Sequence, residues 1–170
     1  MNPKRAMFEI QLPVKNSGTL SVINTHLSAF AQSSNTMGIQ IKQVMDLMAR
    51  RKTKQYHYVI LGGDFNLLPS SFAYNMLDRT GKSYYNSNGT ELAPMLEAFA
   101  SILSLENMNG EDYDNWFTYS PNHISGALAD RSIDYLFYRE SLILVEQKVR
   151  SEDTLMISDH LPVIGVFALP

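Results

Sequence analysis

Two histidines, three carboxylates and two amides sit at four places where apolar runs begin or end. "VINTHLSAF" carries Asn24 and His26, and "VILGGDFNLLP" carries Asp64 and Asn66 directly after two glycines. "RSIDYLFY" holds Asp134 between Ile133 and Tyr135, and "LMISDHLPV" places Asp159 and His160 ahead of a final apolar run. A charged or imidazole group at such a position is costly to bury unless it is paired or metal-bound. Taken singly, Asp64 and Asn66 suit Asx turns, His26 suits a hydrogen-bonded rim histidine, and Asp159 suits a cap. Asp134 is harder to explain that way, because a carboxylate in an apolar strand needs a specific partner. Together the set suits activation of water at a phosphoryl centre. One imidazole, oriented by a carboxylate, takes the proton from water. A divalent ion on carboxylate oxygens neutralises charge on the phosphate, and a second imidazole or an acid assists the leaving oxygen.

The elements that must position these groups read as mixed α and β. Ala6 to Leu12 and Leu20 to Thr25 are expected strands joined by the turn Lys15 to Gly18, a hairpin. Polar residues Gln32 to Asn35 lead into a helix from about Thr36 to Arg51. Met37, Ile41, Val44, Leu47 and Met48 recur there at helical spacing. Arg50, Arg51 and Lys52 suit its C-terminal dipole and read as a solvated helix end. Tyr58 to Leu61 is all apolar, as in a central strand. Ser70 or Ser71 caps a short helix to Leu77. Residues 81–93 are irregular, Pro94 to Leu103 reads as a helix, and Asn107 to Trp116 as an acidic loop. Ser132 to Tyr138, Leu142 to Arg150 with alternating Ile143, Val145 and Val149, and Leu161 to Leu169 complete the strands. Strands interleaved with helices imply one domain, residues 1–170, with a mixed sheet covered by helices.

Composition sets the outer limits. The 170 residues are 45% hydrophobic, which is globular and long enough for a real core. Net charge is -3, so bulk attraction to nucleic acid or anionic lipid is absent. With no cysteine, thiolate catalysis and Cys-based zinc sites are excluded, and any metal sits on oxygen or imidazole. No run approaches a membrane span, and no signal-peptide core is present, so nothing in the chain assigns a compartment. His57 and His123 lie in polar surroundings and read as surface histidines. Trp116, Phe117 and Tyr119 read as core or rim.

In this order, "NTHL", "GGDFN", "SIDYLFY" and "SDHLP" resemble the endonuclease/exonuclease/phosphatase superfamily, with its deoxyribonuclease-I-like fold. The resemblance runs from about Lys4 to Phe167. It implies an α/β fold of four layers, two mixed sheets face to face with helices outside. It implies a metal-dependent phosphoester hydrolase of phosphodiesterase, nuclease or phosphatase class. His160 would activate water or contact the phosphate, and Asp134 would orient it. Asp64 and Asn66 would position nucleophile and phosphate, the preceding glycines allowing close approach to substrate. His26 would assist the leaving group, Asn24 would form part of the site wall, and Asp159 would lie nearest a metal, Mg first, with Mn or Ca compatible.

Members of that superfamily carry an asparagine and a metal-binding glutamate on an N-terminal portion preceding the stretch like Ala6 to Leu12. Asn2 and Glu9 do not match them. The expectation is therefore an N-terminally incomplete chain with weak metal binding and slow hydrolysis, or else a degenerate member kept for binding. An exposed sheet edge or apolar face near Pro162 to Phe167, favouring self-association, is also expected. The substrate is a phosphoester: a small molecule, a lipid headgroup or a nucleic acid. Substrate choice is expected in Gly81 to Leu92 and Met108 to Ser125, where Glu111, Asp112 and Asp114 disfavour duplex DNA.

Overall fold

The computed structural model describes residues 5–16, 18–29, 34–51, 58–87 and 90–169. Asn2, Lys4, Gln32, Lys52 and His57, named above, lie outside them, as does position 17 within the Lys15 to Gly18 turn. Strands β1 (Met7–Val14) and β2 (Gly18–His26) form the expected antiparallel hairpin. Strand β3 (Tyr58–Asp64) runs parallel to β2 and antiparallel to β5 (Asp134–Tyr138), and the two-residue β4 (Ala100–Ser101) closes the far side. The five-stranded order is β1-β2-β3-β5-β4, so β3 is central, as its apolar sequence requires. Strands β6 (Ile143–Val149) and β7 (Val163–Ala168) form a second, two-stranded sheet.

Alternation along the strands divides the large sheet into two faces. Ile23, Val59, Leu61, Tyr135 and Phe137 fall on one face and join a single buried cluster with Met37, Ile41, Val44 and Met48 of helix α1 (Thr36–Arg50). Each of those four α1 side chains contributes about 1.5–3 kcal/mol by burial, before entropy. The C-terminal end of α1 is tied to β1: Arg51 donates from Nε and Nη2 to both oxygens of Glu9, at 2.8 and 2.6 Å. Ser21 also donates to Glu9, which holds that carboxyl below its usual range, the Arg51 bond first among the causes. Glu9 is thus a structural ion pair on the α1 side of the sheet.

The opposite face carries Leu136 and Tyr138, and there β7 packs. Phe167 meets the Tyr138 ring at 4.9 Å, and a Cβ on Gly165 would fall 2.4 Å from Ile102. Further along the same face, β1 leaves Phe8, Ile10 and Leu12 exposed, Phe8 at 69%. Among the described residues β7 pairs with β6 alone, so an exposed apolar strip and an unpaired edge are both present.

Several boundaries differ from the sequence reading. The helix expected over Pro94 to Leu103 is α4 (Ala93–Ala98), ended by extended Phe99 so that β4 can pair with β5. The expected acidic loop takes in only the end of helix α5 (Leu105–Asn109), which Ser104 caps, and a 3-10 turn over Tyr113–Trp116. Helix α2 (Ser71–Met76) is capped by Ser70, whose hydroxyl accepts from Ala73 N–H at 3.3 Å, and α3 (Arg79–Lys82) is capped by Asp78. Asp134 opens its strand rather than lying within it. A bulge between Leu144 and Glu146 reverses the side-chain parity of β6, so Ile143 and Val145 face solvent while Val149 packs inward. Among the described residues no helix is long and apolar enough to cross a membrane.

Candidate active site

One rung of the large sheet carries His26, Asp64 and Asp134, register partners on β2, β3 and β5. All three lie at the same sheet end, and their side chains share the face opposite α1. His26 Nε2 is 3.3 Å from Asp64 Oδ2. The chain reaches this rung through Gly63, whose φ of +151° and position 1.9 Å from Thr25 O for any added Cβ exclude a side chain. Gly63 thus has a reason within the sheet itself, the close approach of the β2 backbone, whereas a Cβ on Gly62 would meet only ordinary contacts.

Asn66 turns the chain immediately after β3, in the left-handed region at φ +52°. Its N–H donates to Asp64 Oδ1 at 2.8 Å, and its Nδ2 donates to Asp64 Oδ2 at 3.1 Å and to Leu27 O at 3.2 Å. The Asx turn and a site role are therefore compatible: the turn aims the carboxylate.

His160 enters from the segment before β7. Its Nδ1 is 2.9 and 3.1 Å from the Asp134 oxygens, so this nitrogen carries the proton and donates, which turns the Nε2 lone pair towards Asp64, 4.0 Å away. The Asp134 hydrogen bond raises the His160 pKa above its usual value, against the opposing effect of burial. Asp64 is also raised, first by burial and then by the Asp134 carboxylate, with the Asn66 N–H working the other way.

A residue the sequence reading missed fixes this pair. Thr118 is fully buried; its hydroxyl donates to Asp134 Oδ2 at 2.8 Å and accepts from the N–H groups of Ile133 and Asp134 at 3.0 and 3.1 Å. Its backbone accepts from Leu161 N–H at 2.7 Å, so one threonine ties the strand bearing Asp134 to the segment bearing His160. Tyr119, read as core or rim, packs against Leu68, Leu77 and Ile133 at the cleft wall, with its ring 4.8 Å from the His160 ring. Trp116 packs against the core, and Phe117 meets Tyr113 edge-on at 5.5 Å, as expected of them.

These groups open on a cleft of about 520 Å³, lined by His26, Asp64, Asn66, Asp159 and His160. Its other wall holds Tyr84, Tyr85, Tyr119, Asp78, Asp130 and Arg131. Asn24 is not among the lining residues: it sits two residues back on β2, exposed, with Nδ2 donating to Gly62 O at 3.4 Å. Arg131 is buried, donates twice to Asp130 at 2.6 and 2.7 Å, and lies 5.7 and 5.8 Å from the Tyr85 and Tyr119 rings. Burial opposes its charge, but the Asp130 and Tyr85 contacts outweigh burial and hold it protonated.

Donor atoms of Asp64, Asp134 and His160 lie within 4.8 Å of one another, a grouping with the makings of a metal site. The hydrogen bonds already described account for that closeness, since Asp134 serves His160 and Thr118. Asp159 is the less committed carboxylate, accepting from Ser158 Oγ at 3.5 Å. Carboxylate oxygens at a polar mouth fit a hard divalent cation that keeps several waters.

The chain belongs to the Endonuclease/Exonuclease/phosphatase family, whose sequence profile matches residues 30–160. Solved structures share the fold. An endonuclease/exonuclease/phosphatase from Beutenbergia cavernae DSM 12333 is 20% identical over 98% of this chain and 40% of that one, TM-score 0.58. D. rerio TDP2 complexed with single strand DNA product is 15% identical over 96% and 62%, TM-score 0.61. ANGEL2, described as a 2',3'-cyclic phosphatase, is 17% identical over 96% and 60%, TM-score 0.61. The chain thus spans 40% to 62% of the length of these three structures. No curated protein sequence matches it.

Proposed function

We propose that this chain acts as a single unit in metal-dependent hydrolysis of a phosphoester, with His160 as the base that activates water. The observation that carries the reading is the 2.9 Å contact from Asp134 to His160 Nδ1, which leaves Nε2 free to take a proton in the cleft. Asp134, held by Thr118, keeps the imidazole in that tautomer and stabilises the cation formed when Nε2 is protonated. Asn66 holds Asp64 beside both histidines, where Asp64 and the Asn66 amide orient water and phosphate. His26, 3.3 Å from Asp64, stands on the other side to assist departure of the leaving oxygen. Asp159 would hold Mg, or Mn, which supplies charge neutralisation at the non-bridging phosphate oxygens. Asn24 contributes to substrate contact only from outside the cleft lining.

The family and the neighbouring structures support the reaction class. TDP2 with its DNA product and ANGEL2 as a cyclic phosphatase are precedents for phosphoester substrates. The test is hydrolysis of bis-p-nitrophenyl phosphate by the purified chain with Mg or Mn. Turnover above that of the His160→Ala variant, abolished by chelation, supports the reading. Turnover equal in the two proteins overturns it.

A further inference from the structure

The four most exposed large hydrophobic side chains among the described residues are Ile124, Ile157, Met156 and Leu128, at 86, 80, 79 and 75%. They lie on only two segments, residues 121–130 and 151–158. Both segments adjoin the catalytic groups. Pro121 and Asn122 at the start of the first and Asp130 at its end line the cleft, and Asp159 and His160 directly follow the second. The backbone holds them together, since Ser120 N–H donates to Asp159 O at 2.8 Å. Leu128 and Leu155 also line one depression, about 650 Å³, which contains Trp116. Clustering of this kind is unlike the scattered single apolar residues normal on a surface.

We propose that these two segments form an apolar collar that seats on a zwitterionic lipid surface, so that the phosphoester entering the cleft belongs to a lipid headgroup. This rests on the phosphoesterase reading of the cleft. The occupant follows from position and charge. A macromolecule docked around the mouth either delivers substrate or blocks it, so a functional occupant carries the phosphoester itself. Neither segment contains a lysine or arginine; Asp130 and Asp153 pair with the flanking Arg131 and Arg150, and Glu152 adds a further acid. The adjoining cations, Arg131 and Arg150, are engaged by these acids, so a nucleic acid or an anionic bilayer finds no uncompensated positive charge on the two segments. Apolar side chains at this exposure gain by entering the acyl boundary of a lipid surface. The acids and the tyrosine-lined wall of the cleft tolerate a cationic headgroup group beside the phosphate.

The experiment is co-sedimentation of the full chain with phosphatidylcholine vesicles and, separately, with phosphatidylserine vesicles. Emission of Trp116, the sole tryptophan, is read in parallel. Binding to phosphatidylcholine with a blue shift is expected. Single changes to serine at Ile124, Leu128, Met156 or Ile157 should weaken partitioning about fivefold, and all four together more than about a hundredfold. Circular dichroism checks that the variants fold, and their hydrolysis of soluble bis-p-nitrophenyl phosphate should match that of the parent. No vesicle binding, salt-sensitive binding to phosphatidylserine alone, or collar-dependent dimerisation in light scattering overturns the proposal. Vesicle binding without soluble turnover would count against the phosphoesterase reading and leave the collar standing.

Discussion

Asp64 and Asp134 face each other across one rung of the β3–β5 pair, two carboxylates in adjacent strands with His160 reaching both, at 4.0 and 2.9 Å. Like charges directly opposite one another destabilise a sheet. The fold relieves this with an imidazole on Asp134 and amide donors on Asp64. Because Asp134 raises the His160 pKa, the acidic limb of the kcat/KM profile is expected above the ordinary histidine value of about 6.5. Asp134→Asn should move that limb down and reduce the rate by about 10²–10⁴. NMR titration of His160 in both proteins checks the shift.

The same pair has a consequence for stability. A histidine raised in the folded state contributes stability fully below its unfolded pKa of about 6.5, and loses it as pH climbs through the raised folded value. The thermal midpoint of the parent should therefore fall across that window. That of Asp134→Asn should be flatter there, as differential scanning calorimetry at several pH values would report.

Thr118→Val preserves shape and removes the hydroxyl. It strips Asp134 Oδ2 of a donor and leaves the Ile133 and Asp134 N–H groups without their acceptor. A buried group left unsatisfied costs about 1–3 kcal/mol. We expect a stability loss of that order together with a lower kcat and a displaced pH limb, whereas Thr118→Ser retains most of both. Denaturant unfolding beside the pH profile separates a positioning role from a purely structural one, because only the former moves the limb.

Gly63→Ala should be among the most damaging single changes in the sheet. A methyl at Gly63 would collide with Thr25 O, and φ of +151° is foreign to alanine. Backbone strain alone costs about 1–3 kcal/mol, before the clash. Gly62→Ala, meeting Tyr135 O at 3.6 Å, should be tolerated far better. Unequal thermal shifts for these adjacent glycines are the expected reading.

Residues whose chemistry conflicts with their surroundings were the ones legible in the sequence. Asp134 before a run of apolar residues announced a partner, and the α1 stripe announced a core face. Thr118 gave no such signal, because a threonine beside aromatic residues is ordinary in sequence. Its importance comes from tertiary hydrogen bonds to residues about 15 positions away. Arg131 was silent too, because a pair with the adjacent Asp130 looks ordinary in sequence and only the fold buries it beside the Tyr85 and Tyr119 rings. Asn24 was placed in the site wall by the family resemblance, but it stands two residues back along the strand, outside the cleft lining. The β6 alternation misled because one bulge residue inverts every later side chain. The helix expected to Leu103 failed because β4 pairing overrode local preference.

The metal assignment separates two places in the cleft. If the cation sat among Asp64, Asp134 and His160, it would have to displace the proton on Nδ1 and the bond from Thr118. If it sits at Asp159, the dyad stays intact and the cation meets the phosphate from the mouth. Mg keeps several waters and leans on one or two protein carboxylates, so a single aspartate gives a weak site. We expect Mn-induced relaxation of water protons to report weak binding by the parent chain. Asp159→Ala should weaken it about tenfold or more, and Asp134→Asn should leave it nearly unchanged. Hydrolysis should stop with chelation and return with Mg or Mn in the parent, but require a higher concentration in Asp159→Ala. The reverse pattern, with affinity lost on Asp134→Asn and kept on Asp159→Ala, would put the cation between the two carboxylates of the β3–β5 rung and take the role of base away from His160.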